Sequence, residues 1–347
     1  MMKRILVVTS DVPFVFGGHR VIAYALVNAL RRSGYAADLM LTPQNRFGRQ
    51  LSAYIATRLI DVGMDGDGNR IDQVISLRFP AYAVKHPAHI CWLTHRMREY
   101  YDLWEMFSAK LSLKARLKER VRRWLIHRVD SRFLGRLTKV YAESETIKRR
   151  LKRFGGIESE VLYPPPPLLG YRTDDYKNFI FTAGRLHPLK RNRLLIEALS
   201  YTMRGDINCI IAGDGPEREE LISLSRKLGL ERRVRFPGLV DEPELIRLYA
   251  GCRAVFYGPY AEDYGLVTIE AFRSKKPVIT LEDSGGPTEL VEDGSSGYII
   301  PPNPKEIARR IDLLTEDKEL AVSMGTKGYQ DTAHINWENT LKKLVIV

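Results

Sequence analysis

The sequence predicts an α/β protein of two doubly wound domains, and three observations lead there. Its 347 residues exceed one ordinary core and suit two domains of roughly 170 residues each. Short apolar runs alternate with amphipathic helical stretches along the chain, the pattern of parallel sheets covered by helices. Four consecutive prolines, Pro164 to Pro167, form a stiff linker near the middle. The first domain is therefore expected over 1–166 and the second from 167.

Composition narrows the class. A hydrophobic fraction of 44% and a charged fraction of 28% fit a soluble globular protein. The apolar run Ile5 to Val8 is too short for a signal peptide and is followed by polar Thr9, Ser10 and Asp11. The longest stretches without Asp, Glu, Lys or Arg, 161–171 and 294–304, hold 11 residues each, against about 20 for a membrane span. Cys91, Cys209 and Cys252 are odd in number and far apart, so a reducing cytoplasm is expected. The net charge of +12 is concentrated between Lys110 and Arg153, where sixteen basic residues face four acids. Such a patch indicates an anionic partner: a membrane surface, a nucleic acid or an acidic substrate.

In the first domain, Ile5 to Thr9 reads as a buried strand and Ser10 to Phe16 as a loop. Gly17-Gly18 then leads into a helix from about His19 to Arg32, with Ile22, Leu26 and Leu30 on one face and Gly34 at its end. A second strand lies near Asp38 to Leu41. This βαβ unit lacks the G-x-G-x-x-G fingerprint of dinucleotide enzymes. Asp65-Gly66-Asp67-Gly68-Asn69 contains a D-x-D, but Arg70 and Ser76 stand where a calcium loop needs Gly and Glu, so a hairpin turn is expected. Asp72 to Leu77 and Ala88 to Leu93 are the next strands. His95 is expected just past the second, where ligands bind, and Tyr100, Tyr101 and Trp104 are either an acceptor platform or core. Lys110 to Arg128 is strongly helical, with Leu113, Leu117, Val121, Trp124 and Leu125 on one side. That helix either lies on an anionic bilayer or packs its leucines on its own domain. Nucleic acid is disfavoured, because no helix-turn-helix, zinc or RNA-binding motif is present. Val140 to Ala142, Ser144 and a helix from Glu145 to Phe154 close the domain.

The second domain opens with a strand, Phe179 to Ala183, and the turn Gly184-Arg185-Leu186-His187-Pro188-Leu189-Lys190. Asn208 to Ala212 precedes Gly213-Asp214-Gly215-Pro216, and Val234 to Pro237 precedes Gly238-Leu239-Val240. The run Ala254 to Tyr257 is a buried strand, followed by a loop with Glu262 and Asp263. Gly265 opens a helix on which Leu266, Ile269 and Phe272 share a face. In parallel sheets ligands bind where strand carboxyl ends meet helix amino termini, so Glu262 to Val267 should line such a site. The N–H groups of Gly265, Leu266 and Val267 suit an anion such as phosphate, and Glu270 is placed to accept hydrogen bonds from sugar hydroxyls. On spacing alone, Glu262 and Glu270 read equally as solvated charges. Val278 to Thr280 and Gly294 to Ile300 are further strands, with Gly285-Gly286-Pro287 and Glu289 between them, and Trp337, Leu341 and Leu344 mark a last helix.

The pattern Glu262-Asp263-Tyr264-Gly265-Leu266 with Glu270-Ala271 resembles the E-x7-E signature of glycosyltransferase family 4, within the glycosyl transferases group 1. Gly184 to Lys190 resembles that family's G-R-L-x-P-x-K turn, Gly213 to Pro216 its G-x-G-P turn, and Ala142 to Lys148 its A-x-S-x-x-x-[KR] segment. The resemblance covers nearly the whole chain. It implies the GT-B fold: two Rossmann-like domains facing each other across a cleft, with the last helix, about 333–347, crossing back to the first and the second domain spanning 167–332. The activity implied is retaining transfer of a sugar from a nucleotide-diphosphate donor, GDP-mannose or a UDP-sugar, to a saccharide or lipid-linked acceptor in surface polysaccharide or glycolipid assembly. Arg185 and Lys190 would grip the diphosphate, where a guanidinium and an ammonium offset the charge on the departing nucleotide. Gly17 and Gly18 would let backbone approach donor and acceptor, and His95 and Glu262 would meet the sugar. Gly213, Leu239 and Val240 would lie by the nucleotide, while Tyr264, Gly265, Leu266, Val267 and Glu270 complete the donor site.

No metal or other cofactor is expected, since the cationic side chains replace one. Asp263 and Tyr264 stand where the family more often has a small residue and Phe, which affects donor-sugar identity. The alternatives are a nucleotide-sugar epimerase of GT-B fold and a noncatalytic protein binding polyanions or membranes. The expected location is cytoplasmic, peripheral on an anionic inner membrane face through residues 110–153.

Overall fold

A computed structural model describes residues 2–11, 17–44 and 48–347. The chain divides into two compact units, Met1–Pro167 with Ile335–Val347, and Leu168–His334. Most of the loop expected from Ser10 to Phe16 lies outside the described residues.

Unit 1 is built on a parallel sheet of β1 (Arg4–Asp11), β2 (Ala36–Pro43), β3 (Gln73–Arg78), β4 (His89–His95), β5 (Lys139–Ala142) and β6 (Glu160–Val161). The spatial order is β2-β1-β3-β4-β5-β6, so the winding direction reverses between β1 and β3. The helices are α1 (Gly18–Arg32), α2 (Gln50–Leu59), α3 (Trp104–Ser108), α4 (Leu113–Leu134) and α5 (Glu145–Gly155). Along α1, Ile22, Leu26 and Leu30 are buried, and Arg31 and Arg32 in its last turn suit the helix dipole. Asp65 Oδ1 accepts from the N–H groups of Asp67 and Asn69, and Met64 pairs antiparallel with Arg70, making the expected hairpin turn.

The structure decides between two pairs of alternatives left open for unit 1. Tyr100, Tyr101 and Trp104 are core, all buried, and form no platform. The apolar side of α4 does not pack on its own domain: Leu113, Leu117, Val121 and Trp124 are 86%, 64%, 56% and 56% exposed. The helix is instead held by Glu119, Ile126, Asp130 and Leu134. Asp130 is fully buried and accepts hydrogen bonds from Tyr54, Tyr82 and, at 2.6 Å, Tyr101. The Arg96 guanidinium lies 3.8 Å from the Tyr101 ring centroid. Burial raises the pKa of Asp130, opposed by Arg96 and the tyrosine hydroxyls. Glu119 accepts from Tyr100 at 2.8 Å and pairs with Arg122. A buried carboxylate persists only with such partners, so the acids fix which face of α4 turns inward.

Unit 2 carries the second parallel sheet: β7 (Phe179–Ala183), β8 (Asn208–Ala212), β9 (Val234–Gly238), β10 (Ala254–Phe256), β11 (Val278–Leu281) and β12 (Gly297–Ile300). Its order is β12-β11-β10-β7-β8-β9. The chain winds outward from β7 through β9, crosses back, and winds the other way from β10. The helices α6 (Asn192–Leu199), α7 (Arg218–Lys227), α8 (Glu242–Gly251), α9 (Leu266–Arg273), α10 (Pro304–Glu316) and α11 (Lys318–Asp331) surround it. Ile180, Leu195, Ile211, Phe256, Ile279 and Ile311 are among its core residues.

The last helix, α12 (Trp337–Leu344), returns to unit 1. The buried Gln73 side chain donates to the Leu344 carbonyl at 2.6 Å and accepts from the Ile346 N–H at 3.0 Å. The Trp337 ring meets Trp92 edge-on, with centroids 6.3 Å apart.

Candidate active site

In unit 2 the expected site residues gather where the winding reverses, between β7 and β10, the place where open α/β sheets bind ligands. The turn after β7 ends in a short 3-10 helix, Pro188–Lys190. From it Lys190 Nζ donates to Glu262 Oε2 at 2.5 Å and to the Tyr257 hydroxyl at 2.9 Å. Burial works against the ammonium, but the Glu262 carboxylate and then the Tyr257 hydroxyl more than offset it, so the pKa of Lys190 lies above the usual lysine value. Arg185 is exposed, with no hydrogen-bond or ion-pair partner among the described residues. It and Lys190 lower the pKa of His187, after burial.

Backbone pairing holds Glu262. Its N–H donates to the Ser284 carbonyl at 2.7 Å, and its carbonyl accepts from the Gly286 N–H at 3.0 Å. Arg191 braces the same loop, donating to the Gly258 and Pro259 carbonyls and to both oxygens of Asp283. Gly265 then caps α9 at φ 89°, and a Cβ there would stand 2.6 Å from the Tyr257 ring. The position requires glycine on both counts. No side chain caps α9. The N–H groups of Leu266 and Val267 have no acceptor among the described residues, as at any helix start.

Glu270 is 7% exposed, and its Oε2 accepts from the buried Tyr249 hydroxyl at 2.7 Å. Burial raises its pKa, partly offset by the hydroxyls of Tyr249 and Tyr171. Neither Glu262 nor Glu270 is the solvated charge that spacing alone allowed. Tyr264 is buried. Gly213, at φ 126°, packs so closely that a Cβ would lie 1.9 Å from the Gly184 carbonyl oxygen. Its N–H donates to the Gly238 carbonyl at 2.7 Å, joining that turn to the one bearing Leu239, which is exposed, and half-buried Val240.

In unit 1, Gly17 caps α1 in an extended conformation and Gly18 is the first helical residue. His95 is the last residue of β4 rather than past its end. Its Nδ1 lies 2.7 Å from the Arg96 carbonyl and donates to it. Sequence reasoning missed two neighbours, His19 and Arg78. His19 follows β1, and Arg78 ends β3 opposite His95. Burial, then Arg78 and His95, push the His19 pKa down to about 3. The signal was available, since His19 immediately follows Gly17-Gly18. Among the described residues no three His, Cys, Asp or Glu side chains gather as a metal-ligand set.

With this geometry in hand, comparison places the architecture in the GT-B class. Over 99% of this chain and 98% of the other, it superposes with TM-score 0.71 and 19% identity on the crystal structure of Anabaena HepE in complex with UDP and glucose. The family model described as glycosyl transferases group 1 matches residues 171–331. An uncharacterized glycosyltransferase of Methanocaldococcus jannaschii is 31% identical over 179 residues, covering 50% of this chain and 45% of that protein. The alpha-D-kanosaminyltransferase of Streptomyces kanamyceticus is 34% identical over 160 residues, 44% of this chain and 40% of that enzyme. The chain thus spans less than half the length of these relatives.

Proposed function

We propose that the chain is a retaining glycosyltransferase that moves a sugar from a nucleotide-diphosphate donor, a UDP-sugar or GDP-mannose, to a saccharide or lipid-linked acceptor. The observation that carries this reading is the Lys190–Glu262–Tyr257 cluster beside the open start of α9, at the reversal point of the second sheet. Lys190, exposed Arg185 and the N–H groups of Leu266 and Val267 bind the diphosphate and stabilise its charge as it departs. Glu262 holds Lys190 in place and meets the sugar. Glu270 keeps one oxygen on Tyr249 and offers the other to the ribose. Gly213, Leu239 and Val240 supply the wall for the nucleoside. In unit 1 we assign Gly17, Gly18 and His95 to the transferred sugar and its acceptor.

The reaction is a substitution at the anomeric carbon. Its bond to the diphosphate oxygen breaks, an acceptor oxygen bonds on the same face, and the acceptor proton passes to the departing diphosphate. No metal is required. The exposed ridge of α4 and its basic neighbours dock unit 1 on an anionic membrane from the cytoplasmic side. No helix among the described residues is long and apolar enough to span a membrane.

A thermal-shift panel of nucleoside diphosphates and their sugars tests the reading, followed by product analysis. Stabilisation by UDP or GDP and acceptor-dependent transfer with retained anomeric configuration are expected. Donor conversion that needs no acceptor would make the protein an epimerase, and no nucleotide response would remove the donor site.

A further inference from the structure

Unit 1 carries an apolar groove that the chemistry of sugar transfer does not use. It runs between α2 and α4, has a volume of about 350 Å³, and is lined by Leu51, Tyr54, Ile55, Leu59, Val129 and Phe133, with Arg58 at its wall. Tyr54 turns its hydroxyl to Asp130 and gives the groove only its ring. Arg58 lies 5.9 Å over the Phe133 ring. Leu51, Ile55 and Leu59 fall four residues apart and form an exposed ridge, 38%, 62% and 80% accessible. An α-helix does not normally turn three large aliphatic side chains to water on one face while burying Gln50, Ala53 and Thr57 on the other.

We propose that this groove binds one acyl chain of an anionic phospholipid. The site rests on the membrane reading of unit 1 given above and adds a defined lipid site to it. Charge complementarity selects the occupant. Apart from Arg58 the lining side chains offer hydrocarbon, with little to set the register of a polypeptide, while Arg58 and the exposed Arg132, three positions after Val129 on α4, supply positive charge. An apolar chain ending in an anion satisfies both features. The second exposed apolar ridge, Leu113, Leu117, Val121 and Trp124, lies on the same α4 within the segment that carries the whole net charge. The volume falls in the range of about 300–1,000 Å³ of small-molecule sites.

The test titrates the full chain calorimetrically with dihexanoylphosphatidylglycerol below its micelle concentration, with the dibutanoyl lipid, and with glycerophosphoglycerol, which has no chains. Each methylene taken from water should tighten binding about fourfold, so the dihexanoyl lipid should bind about fifteenfold more tightly than the dibutanoyl one. Val129→Trp, which fills the groove, and Ile55→Asp, which polarises it, should each abolish this binding while unfolding normally. Both variants should still sediment with phosphatidylglycerol vesicles. Vesicle binding without chain-length dependence, or unchanged lipid affinity in both variants, overturns the groove and leaves membrane docking intact. Lipid binding that the variants lose, in a native chain that ignores vesicles, keeps the groove and overturns membrane docking.

Discussion

Lys190 and Glu262, separated by 72 positions in the chain, meet at 2.5 Å across the point where the strand order of the second sheet reverses. Lys190→Ala should weaken nucleoside diphosphate binding and lower turnover at least about a hundredfold, the loss seen when one transition-state donor is removed. Glu262→Gln frees the ammonium from a competing charge. Nucleoside diphosphate should then bind as tightly or more tightly while turnover falls, a split that calorimetry and initial rates measure separately. Near-normal turnover in Lys190→Ala would exclude it from the site.

Transfer should survive EDTA, because Lys190, Arg185 and the start of α9 supply the positive charge. The measurement is an initial rate before and after chelation. Abolished transfer that magnesium or manganese restores would show that this assignment of charge is incomplete.

Gly213→Ala should destabilise unit 2 by on the order of 3 kcal/mol, since a methyl group 1.9 Å from the Gly184 carbonyl oxygen adds overlap to a strained φ. Gly66→Ala meets no atom within 4 Å and has no positive φ, so it should be near neutral. Denaturant titration of the two variants checks the contrast.

Acid should weaken unit 1 through His89 as well as His19. Burial, then His86, press the pKa of the buried His89 down to about 3. Below about pH 6.5 the unfolded chain binds a proton that the native state refuses, so stability rises with pH between about 3 and 6.5 and is complete above that range. This histidine contributes a slope of about 1.4 kcal/mol per pH unit there. Urea titrations of the native chain and His89→Gln from pH 4 to 7 should show a shallower slope in the variant.

Membrane docking should depend on exposed cations of α4. Arg122 and Arg123 are poor targets because they pair with Glu119 and the Tyr100 carbonyl. Lys114, Lys118, Arg120 and Arg132 are exposed. Changing these four to Gln should weaken sedimentation with phosphatidylglycerol vesicles by about a thousandfold, at about 1 kcal/mol per charge. Molar salt should act likewise as the Debye length falls to about 3 Å. Equal pelleting with neutral vesicles would leave α4 as a solvated face.

The strands were legible because buried parallel strands are continuous apolar runs, and Phe179 to Ala183 was placed to the residue. The orientation of α4 was not. Its inward face is marked by Glu119 and Asp130, whose polarity is offset by tyrosines from other parts of the chain, so periodicity left open whether the leucines pack inward. α2 escaped for a related reason: Leu51, Ile55 and Leu59 face outward and Gln50 and Thr57 inward, an inverted pattern. At the candidate site, glycine-led turns revealed Lys190 and Glu262 singly. Their pairing, and the Tyr257 hydroxyl that completes it, depend on strand order, which no local pattern encodes.

The pair of hydrogen bonds between Gln73 and the backbone of Leu344 and Ile346 bears on how the protein emerges from the ribosome. Unit 2 is one uninterrupted stretch and can close as soon as His334 has cleared the exit tunnel. Unit 1, although most of it is made before unit 2, must hold a buried amide without its partners until residues 335–347 follow, a debt of about 1–3 kcal/mol for an orphaned polar group. The domain made first is thus finished last. A premature stop after His334 should spare unit 2 and leave unit 1 prone to capture by chaperones.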